Sequence, residues 1–397
     1  MAISRHVAEM MERSSWIRRM FEEGILLKKK FGQDRVFDFS LGNPIMEPPP
    51  EFHRALEKVI RDGRTGMHRY MPNAGYPTTR AIVAEKLAAQ TGLAFHAEHV
   101  LMCCGAGGGL NVVLKALLDP GDEVVIFSPF FPEYPFYIDN HSGVTVDVPT
   151  DDRFDLDLDA LAAAIGPKTK VVLYNSPNNP TGVVYSDETL RALGECLRSR
   201  ERELGTSIYL ISDEPYRKIV FDEIDPMSVF AVHPNSIQVY SHSKDLGLAG
   251  ERIGFVAVSP ELDALEDLTA GLTFANRILG FINAPAMMQH VVRELQDVTV
   301  DVAAYERKRD LFYHALVDMG YEVVRPDGAF YLFPKTLIDD DVEFVRRLQE
   351  ELVLAVPGRG FGRPGHMRIS YCVEDSTIEA ALPAFAKLAR ETLASRG

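Results

Sequence analysis

Lys244 lies in the run Ser241-His242-Ser243-Lys244-Asp245-Leu246-Gly247-Leu248-Ala249-Gly250-Glu251-Arg252-Ile253-Gly254. A lysine amine attacks an aldehyde and holds it as a Schiff base. It must be neutral to do so, which asks for burial or nearby cations. Ser241 and Ser243 offer hydroxyls, and Arg252, two helical turns downstream, offers a guanidinium. Together these groups grip a phosphate. The combination suits a covalent anchor for a phosphorylated aldehyde. A lysine in a surface loop is the ordinary alternative, and these neighbours at these spacings outweigh it.

Other segments carry groups that would serve the same chemistry. Asp213, in Ile211-Ser212-Asp213-Glu214-Pro215-Tyr216, is a carboxylate at the end of an apolar run. Such a group can hold a proton on a pyridine nitrogen and keep the ring electron-accepting, although aspartate after a strand is often only a turn residue. Asn179 sits in Asn175-Ser176-Pro177-Asn178-Asn179-Pro180-Thr181-Gly182 and offers a side-chain amide. The glycines of Gly105-Ala106-Gly107-Gly108-Gly109 stand before a helical pattern that starts at Leu110. Backbone N–H groups at a helix start bind phosphate, and glycine permits close approach. A glycine run alone also fits a flexible turn. Arg368, in His366-Met367-Arg368-Ile369-Ser370, can grip a carboxylate through two parallel hydrogen bonds.

These groups need a scaffold, and the chain's periodicity supplies one. Apolar, β-rich runs cover 100–103, 124–127, 171–174, 208–211, 237–240 and 254–258. Helical patterns lie between several of them, at 110–118 and at 187–203, the latter capped by Ser186 or Asp187. Strand–helix alternation predicts an α/β fold, a mostly parallel central sheet sandwiched by helices. Gly105, Phe131, Asn179, Asp213 and Lys244 each follow one of the first five runs. Ligands of open parallel sheets bind outside the carboxyl ends of the strands, so these residues should meet at one edge. The ends of the chain differ. Residues 1–50 are helical and then proline-rich. From about Gln289 a charged helical pattern leads to strand candidates at 321–324, 329–333 and 366–371. We expect a large domain over 51–288 and a smaller α+β domain built from 1–50 and 289–397.

Composition sets bounds. The chain has 397 residues, 46% apolar and 25% charged, as expected for a globular enzyme. Its net charge of −15 disfavours nucleic acid as a partner. An acidic protein that binds an anion must gather cations locally, and Arg252 and Arg368 are the candidates. No apolar run is long enough to cross a bilayer. The first twenty residues lack the apolar core of a secretory signal and read as an amphipathic helix. Four cysteines show neither metal spacing nor a disulfide framework, and eleven histidines form no helical metal-binding pair. We expect a cytoplasmic protein with no membrane partner and no metal.

From Leu41 to Arg368, several motifs in order resemble the class I/II aminotransferases, pyridoxal-phosphate (PLP) enzymes of fold type I. The lysine run, Asp213-Glu214-Pro215-Tyr216, the Asn175–Gly182 loop, Ser128-Pro129-Phe130-Phe131-Pro132 and Arg368-Ile369-Ser370 carry the resemblance. It implies roles. Lys244 holds the cofactor as an internal aldimine and then serves as general base. Asp213 faces the pyridine nitrogen, Tyr216 and Asn179 the phenolate oxygen, and Phe131 stacks on the ring. Ser241, Ser243, Arg252 and the backbone of Gly105, Ala106 and Gly107 hold the phosphate, although Gly105 and Gly107 stand where many relatives have hydroxyl residues. Arg368, Asn179 and the Gly42 N–H take the substrate carboxylate. Tyr70 reaches the phosphate of a neighbouring subunit, which implies a homodimer with shared sites.

The expected reaction is ping-pong transfer of an amino group from an L-amino acid to a 2-oxo acid. Related reactions on the same scaffold, a C–S lyase or an aminocyclopropane-carboxylate synthase, are the alternatives. A transcription regulator with an aminotransferase-like domain would need an added DNA-binding domain, for which too few residues precede Leu41. Arg277 lies near where dicarboxylate-specific relatives keep a second arginine, about one residue out of register.

Overall fold

A computed structural model describes residues 2–13, 15–63 and 65–394. After two helices, Arg5–Arg13 and Ser15–Phe31, comes a short strand, Phe37–Asp38 (β1). Seven strands then build the main sheet: Val100–Cys103 (β2), Glu123–Ser128 (β3), Val144–Pro149 (β4), Thr169–Asn175 (β5), Tyr209–Asp213 (β6), Ser236–Ser241 (β7) and Gly254–Val258 (β8). Their order is β2-β8-β7-β6-β5-β3-β4. Only β8 runs against the others, pairing antiparallel with β2 and β7. The six expected strands are present within two residues at each end.

The strands are almost continuously apolar because both faces are covered. Val171 and Leu173 pack on one side with Leu110, Tyr134 and Leu268. Val172 and Tyr174, one residue out of phase, pack on the other with Phe52, Leu87, Leu161, Leu190 and Met288. The edge strand β4 was not expected. It lies at the rim and all its residues but Val148 are exposed or half-exposed, so it carries no long buried run to mark it. The expected cap is present, since Ser186 Oγ accepts from the Thr189 N–H at 3.0 Å and starts the helix Asp187–Leu204.

A second core lies near the chain ends. Phe39 packs with Phe312 and Phe385 in a cluster that also holds Phe344, Tyr331, Leu332, Val353, Met367 and Ile369. Tyr331–Leu332 (β9), Val356–Pro357 (β11) and Met367–Ser370 (β12) form a small antiparallel sheet, and Val353–Leu354 (β10) pairs parallel with β1. Three expectations need correction. Residues 321–324 form no strand. The helix expected from Leu110 begins at Gly105, so the glycine run is its first turns and not a preceding loop. The charged pattern from Gln289 is two helices, Ala286–Val292 and Val302–Asp318, not one. No helix among the described residues is long and apolar enough to cross a membrane.

Candidate active site

The carboxyl ends of the main-sheet strands open into a cavity of about 350 Å³. Gly42, Ala106, Gly107, Phe131, Asn179, Asp213, Tyr216, Ser241, Ser243, Lys244, Arg252 and Arg368 all line it. Residues spread over most of the chain therefore meet at one edge, as the strand pattern requires. Two candidates do not line it. Gly105 lies just behind Arg252. Tyr70 is 89% exposed on this chain's surface. Arg277 is also elsewhere; its guanidinium lies 5.1 Å from the Phe274 ring, beside a separate recess.

Lys244 sits on a single helical turn, His242–Asp245, at the end of β7. Ser241 caps that turn. The helix stops because Gly247 takes φ 66°, so the arginine does not lie two turns along one helix. The chain reverses instead, and Arg252 is held at φ 52° with its guanidinium donating to the carbonyls of Ala249 (3.0 Å) and Cys104 (3.3 Å). Gly105, at φ 71°, makes room for it: a Cβ there would lie 2.7 Å from an Arg252 nitrogen. Ser241 and Ser243 hydroxyls are 2.7 Å apart. Two hydroxyls, a guanidinium and the start of the thirteen-residue helix Gly105–Leu117 thus face one end of the cavity. This donor set suits a phosphate.

The Lys244 amine donates to the Gly42 carbonyl at 2.7 Å and lies 5.4 Å from the Phe330 ring centroid. Burial lowers its pKa to about 8, and Arg368 and Arg252 push in the same direction while Cys372 opposes them. Asp213 responds oppositely: burial raises its carboxyl to about 7. One carboxylate oxygen accepts from the Tyr134 hydroxyl at 2.6 Å; the other is buried with no partner. A buried orphan acceptor costs free energy unless a donor meets it. A pyridinium N–H is such a donor, so this residue fits the cofactor.

The Asn179 loop is tied to β6 through Asn175, whose amide donates to the Asp213 carbonyl (2.7 Å) while its oxygen accepts from the Asn179 N–H (2.7 Å). Arg368, 4% exposed, donates to the Asn179 side-chain oxygen (3.2 Å) and to the Ser40 carbonyl (2.5 Å). A charged group this buried, facing a cavity, is built to receive an anion. Phe131 stands half-buried in the wall, its ring 5.5 Å from that of Tyr134.

Sequence reasoning missed Tyr134 and Tyr331. Tyr134 is the hydroxyl partner of Asp213, and Tyr331 lines the cavity and hydrogen-bonds Tyr216 at 2.8 Å. It also missed Cys372, a buried thiol 3.3 Å from the Asn43 carbonyl and close enough to Lys244 and Arg368 to affect their charge. A tyrosine within the otherwise apolar Phe330–Phe333 stretch was the one available signal.

Comparison with known proteins agrees with this geometry. Residues 34–385 match the family model Aminotransferase class I and II. A solved amino transferase from Eubacterium rectale superposes with a TM-score of 0.95 at 38% identity, covering 98% of this chain and 99% of that one. Aspartate aminotransferase from Thermus thermophilus, solved with maleate, gives a TM-score of 0.84 at 29% identity over 98% of this chain and 100% of its own. The probable aspartate/prephenate aminotransferase of Thermus aquaticus is 34% identical over 357 residues, 87% of this chain and 89% of that protein. The chain belongs to the class I and II aminotransferases, PLP-dependent enzymes of fold type I that move an amino group between an amino acid and a 2-oxo acid.

Proposed function

We propose that Lys244 is the attachment point for pyridoxal phosphate and the base that moves the substrate's α-proton. When bound, the cofactor supplies a ring that accepts the electrons left at the α-carbon. Asp213 would hold the proton on the ring nitrogen, Tyr216 and Asn179 would hydrogen-bond the ring's phenolate oxygen, and Phe131 would pack on its face. Ser241, Ser243, Arg252 and the backbone of Gly105, Ala106 and Gly107 would grip the phosphate. Arg368, Asn179 and the Gly42 N–H would orient the amino acid by its carboxylate. With its pKa near 8, a useful fraction of Lys244 is neutral at mild pH and able to take up a proton. One site serving donor and acceptor in turn gives ping-pong kinetics.

The observation that carries this reading is the unpartnered Asp213 oxygen in the same cavity as the Lys244 amine. Replacing Lys244 with alanine should remove the absorbance band that depends on the bond between lysine and cofactor and lower turnover at least about 1,000-fold. A Lys244→Ala protein that keeps both that band and its turnover rules the assignment out. Product formation should also require a 2-oxo acid acceptor, which a lyase would not.

We further infer a homodimer. Tyr70 is exposed beside residues 71–73, which are tied to the 276–283 segment through Asn73, Asn276 and Asn283. Phe274 (53%) and Ile278 (48%) are exposed close by, and an apolar patch of this kind favours a protein partner. The second core near the chain ends supports a small domain from 1–50 and 289–397 beside a large one over 51–288. The four cysteines are free thiols, which supports a reducing compartment, the cytoplasm.

A further inference from the structure

We propose that Tyr331 is a positioning residue for transamination, fixing Tyr216 and Arg368 together from one side chain. The inference rests on the roles assigned above to those two residues. Tyr331 is 2% exposed. In the small sheet it lies opposite Ser370. Side chains alternate along a strand, so Arg368, two residues before Ser370, shares its face. The Arg368 guanidinium carbon accordingly lies 4.9 Å from the Tyr331 ring centroid. The Phe361 ring also contacts that guanidinium, at 4.8 Å. Arg368 Nη1 donates to Asn179 and Nη2 to Ser40, each keeping its second hydrogen for a carboxylate, and the two rings limit how the flat cation can turn.

The other end of Tyr331 meets the cofactor side of the site. Its hydroxyl is 2.8 Å from that of Tyr216, with the rings nearly perpendicular at 82°. A Cβ on Gly42 would overlap the Tyr331 hydroxyl, so the 41–43 loop is pressed directly onto it. That loop also carries the carbonyl that binds Lys244. Tyr331 therefore touches three parts of the site at once. The hydroxyl pair has one bond to share. If the Tyr216 proton goes to the cofactor's phenolate oxygen, Tyr331 must be the donor in this pair. Donation to an oxygen strengthens that group as a donor in turn. Tyr331 would thus help Tyr216 stabilise negative charge on the phenolate oxygen, acting through the Tyr216 hydroxyl.

Two substitutions on the PLP-loaded enzyme separate these functions. Tyr331→Phe removes the hydroxyl and keeps the ring on Arg368. The pH midpoint of the bound cofactor's absorbance change should rise, by about 0.3 pH unit or more, with KM for the amino acid nearly unchanged. In a Tyr216→Phe background the same substitution should shift nothing further. Tyr331→Leu also removes the ring, and KM should rise about tenfold. A role in packing alone would lower the melting temperature and leave midpoint and KM as in the wild type; that outcome overturns the proposal. If Tyr331→Leu does not fold, the Tyr331→Phe midpoint decides. Failure of the underlying site reading looks different: wild-type protein would take up PLP without Lys244-dependent absorbance.

Discussion

Burial drives Asp213 and Lys244 toward the same end, the uncharged form. The carboxyl rises to about 7 and the amine falls to about 8. For the carboxyl the consequence for stability has a definite sign. The unfolded chain releases this proton near pH 4 and the native protein near 7, so between them the native state holds more protons and stability falls as pH rises. Above pH 7 the full cost of a buried carboxylate is present. Cofactor-free Asp213→Asn should therefore melt higher than cofactor-free wild type at pH 8, and the two should converge near pH 4 in calorimetry. Equal melting temperatures at pH 8 would remove the argument. Arg368→Lys makes a second test at this scale. It keeps the charge and loses the fork, so KM for the amino acid should rise, roughly 10- to 100-fold, since a charge-assisted hydrogen bond contributes about 1.5–3 kcal/mol. Lys244, Asp213 and Arg368 were legible because each stands in a local motif. Tyr134 was not, because its meaning depends on a carboxylate 79 residues away, and no short-range pattern encodes that meeting.

The same contrast holds for the elements. Buried strands were legible because runs such as Val171-Val172-Leu173-Tyr174 have few other places to go. The rim strand β4 was missed and residues 321–324 were misread as a strand, for opposite reasons. Exposure at an edge weakens the apolar signal, while a short apolar run can pack in a core without pairing. The glycine run was read as a loop because glycine disfavours helix, yet here the first turns need its small size more than its propensity. Gly105 shows why: it is left-handed and seats the Arg252 guanidinium. Gly105→Ala should strain the backbone by about 1 kcal/mol and displace the arginine. The expected result is weaker retention of PLP, on the order of tenfold in Kd by fluorescence titration, with most of the melting temperature kept. Unchanged PLP affinity would mean that Arg252 does not serve the phosphate.

At the scale of the molecule, an acidic chain with net charge −15 concentrates cations where an anionic cofactor and substrate must bind. The end of the cavity proposed to take the phosphate rests on the helix Gly105–Leu117, and the helix Leu265–Ile278 packs against that helix. One side of that second helix is buried through Leu268, Leu272 and Ala275. Phe274 and Ile278, four residues apart, share another side that stays exposed. If a second copy covers this surface, its Tyr70 comes from an exposed position of the same neighbourhood, and the sites become shared. Placing like charges across an isologous interface should break it, because each substitution appears twice and faces its copy or a close neighbour. Phe274→Glu with Ile278→Glu should convert the protein from dimer to monomer in sedimentation equilibrium and loosen PLP. Tyr70→Phe should loosen PLP while leaving the mass unchanged, since it removes only a hydroxyl. A doubly substituted protein that sediments as a dimeric wild type does would show that this face is not the interface, and unchanged PLP retention in Tyr70→Phe would remove Tyr70 from the phosphate.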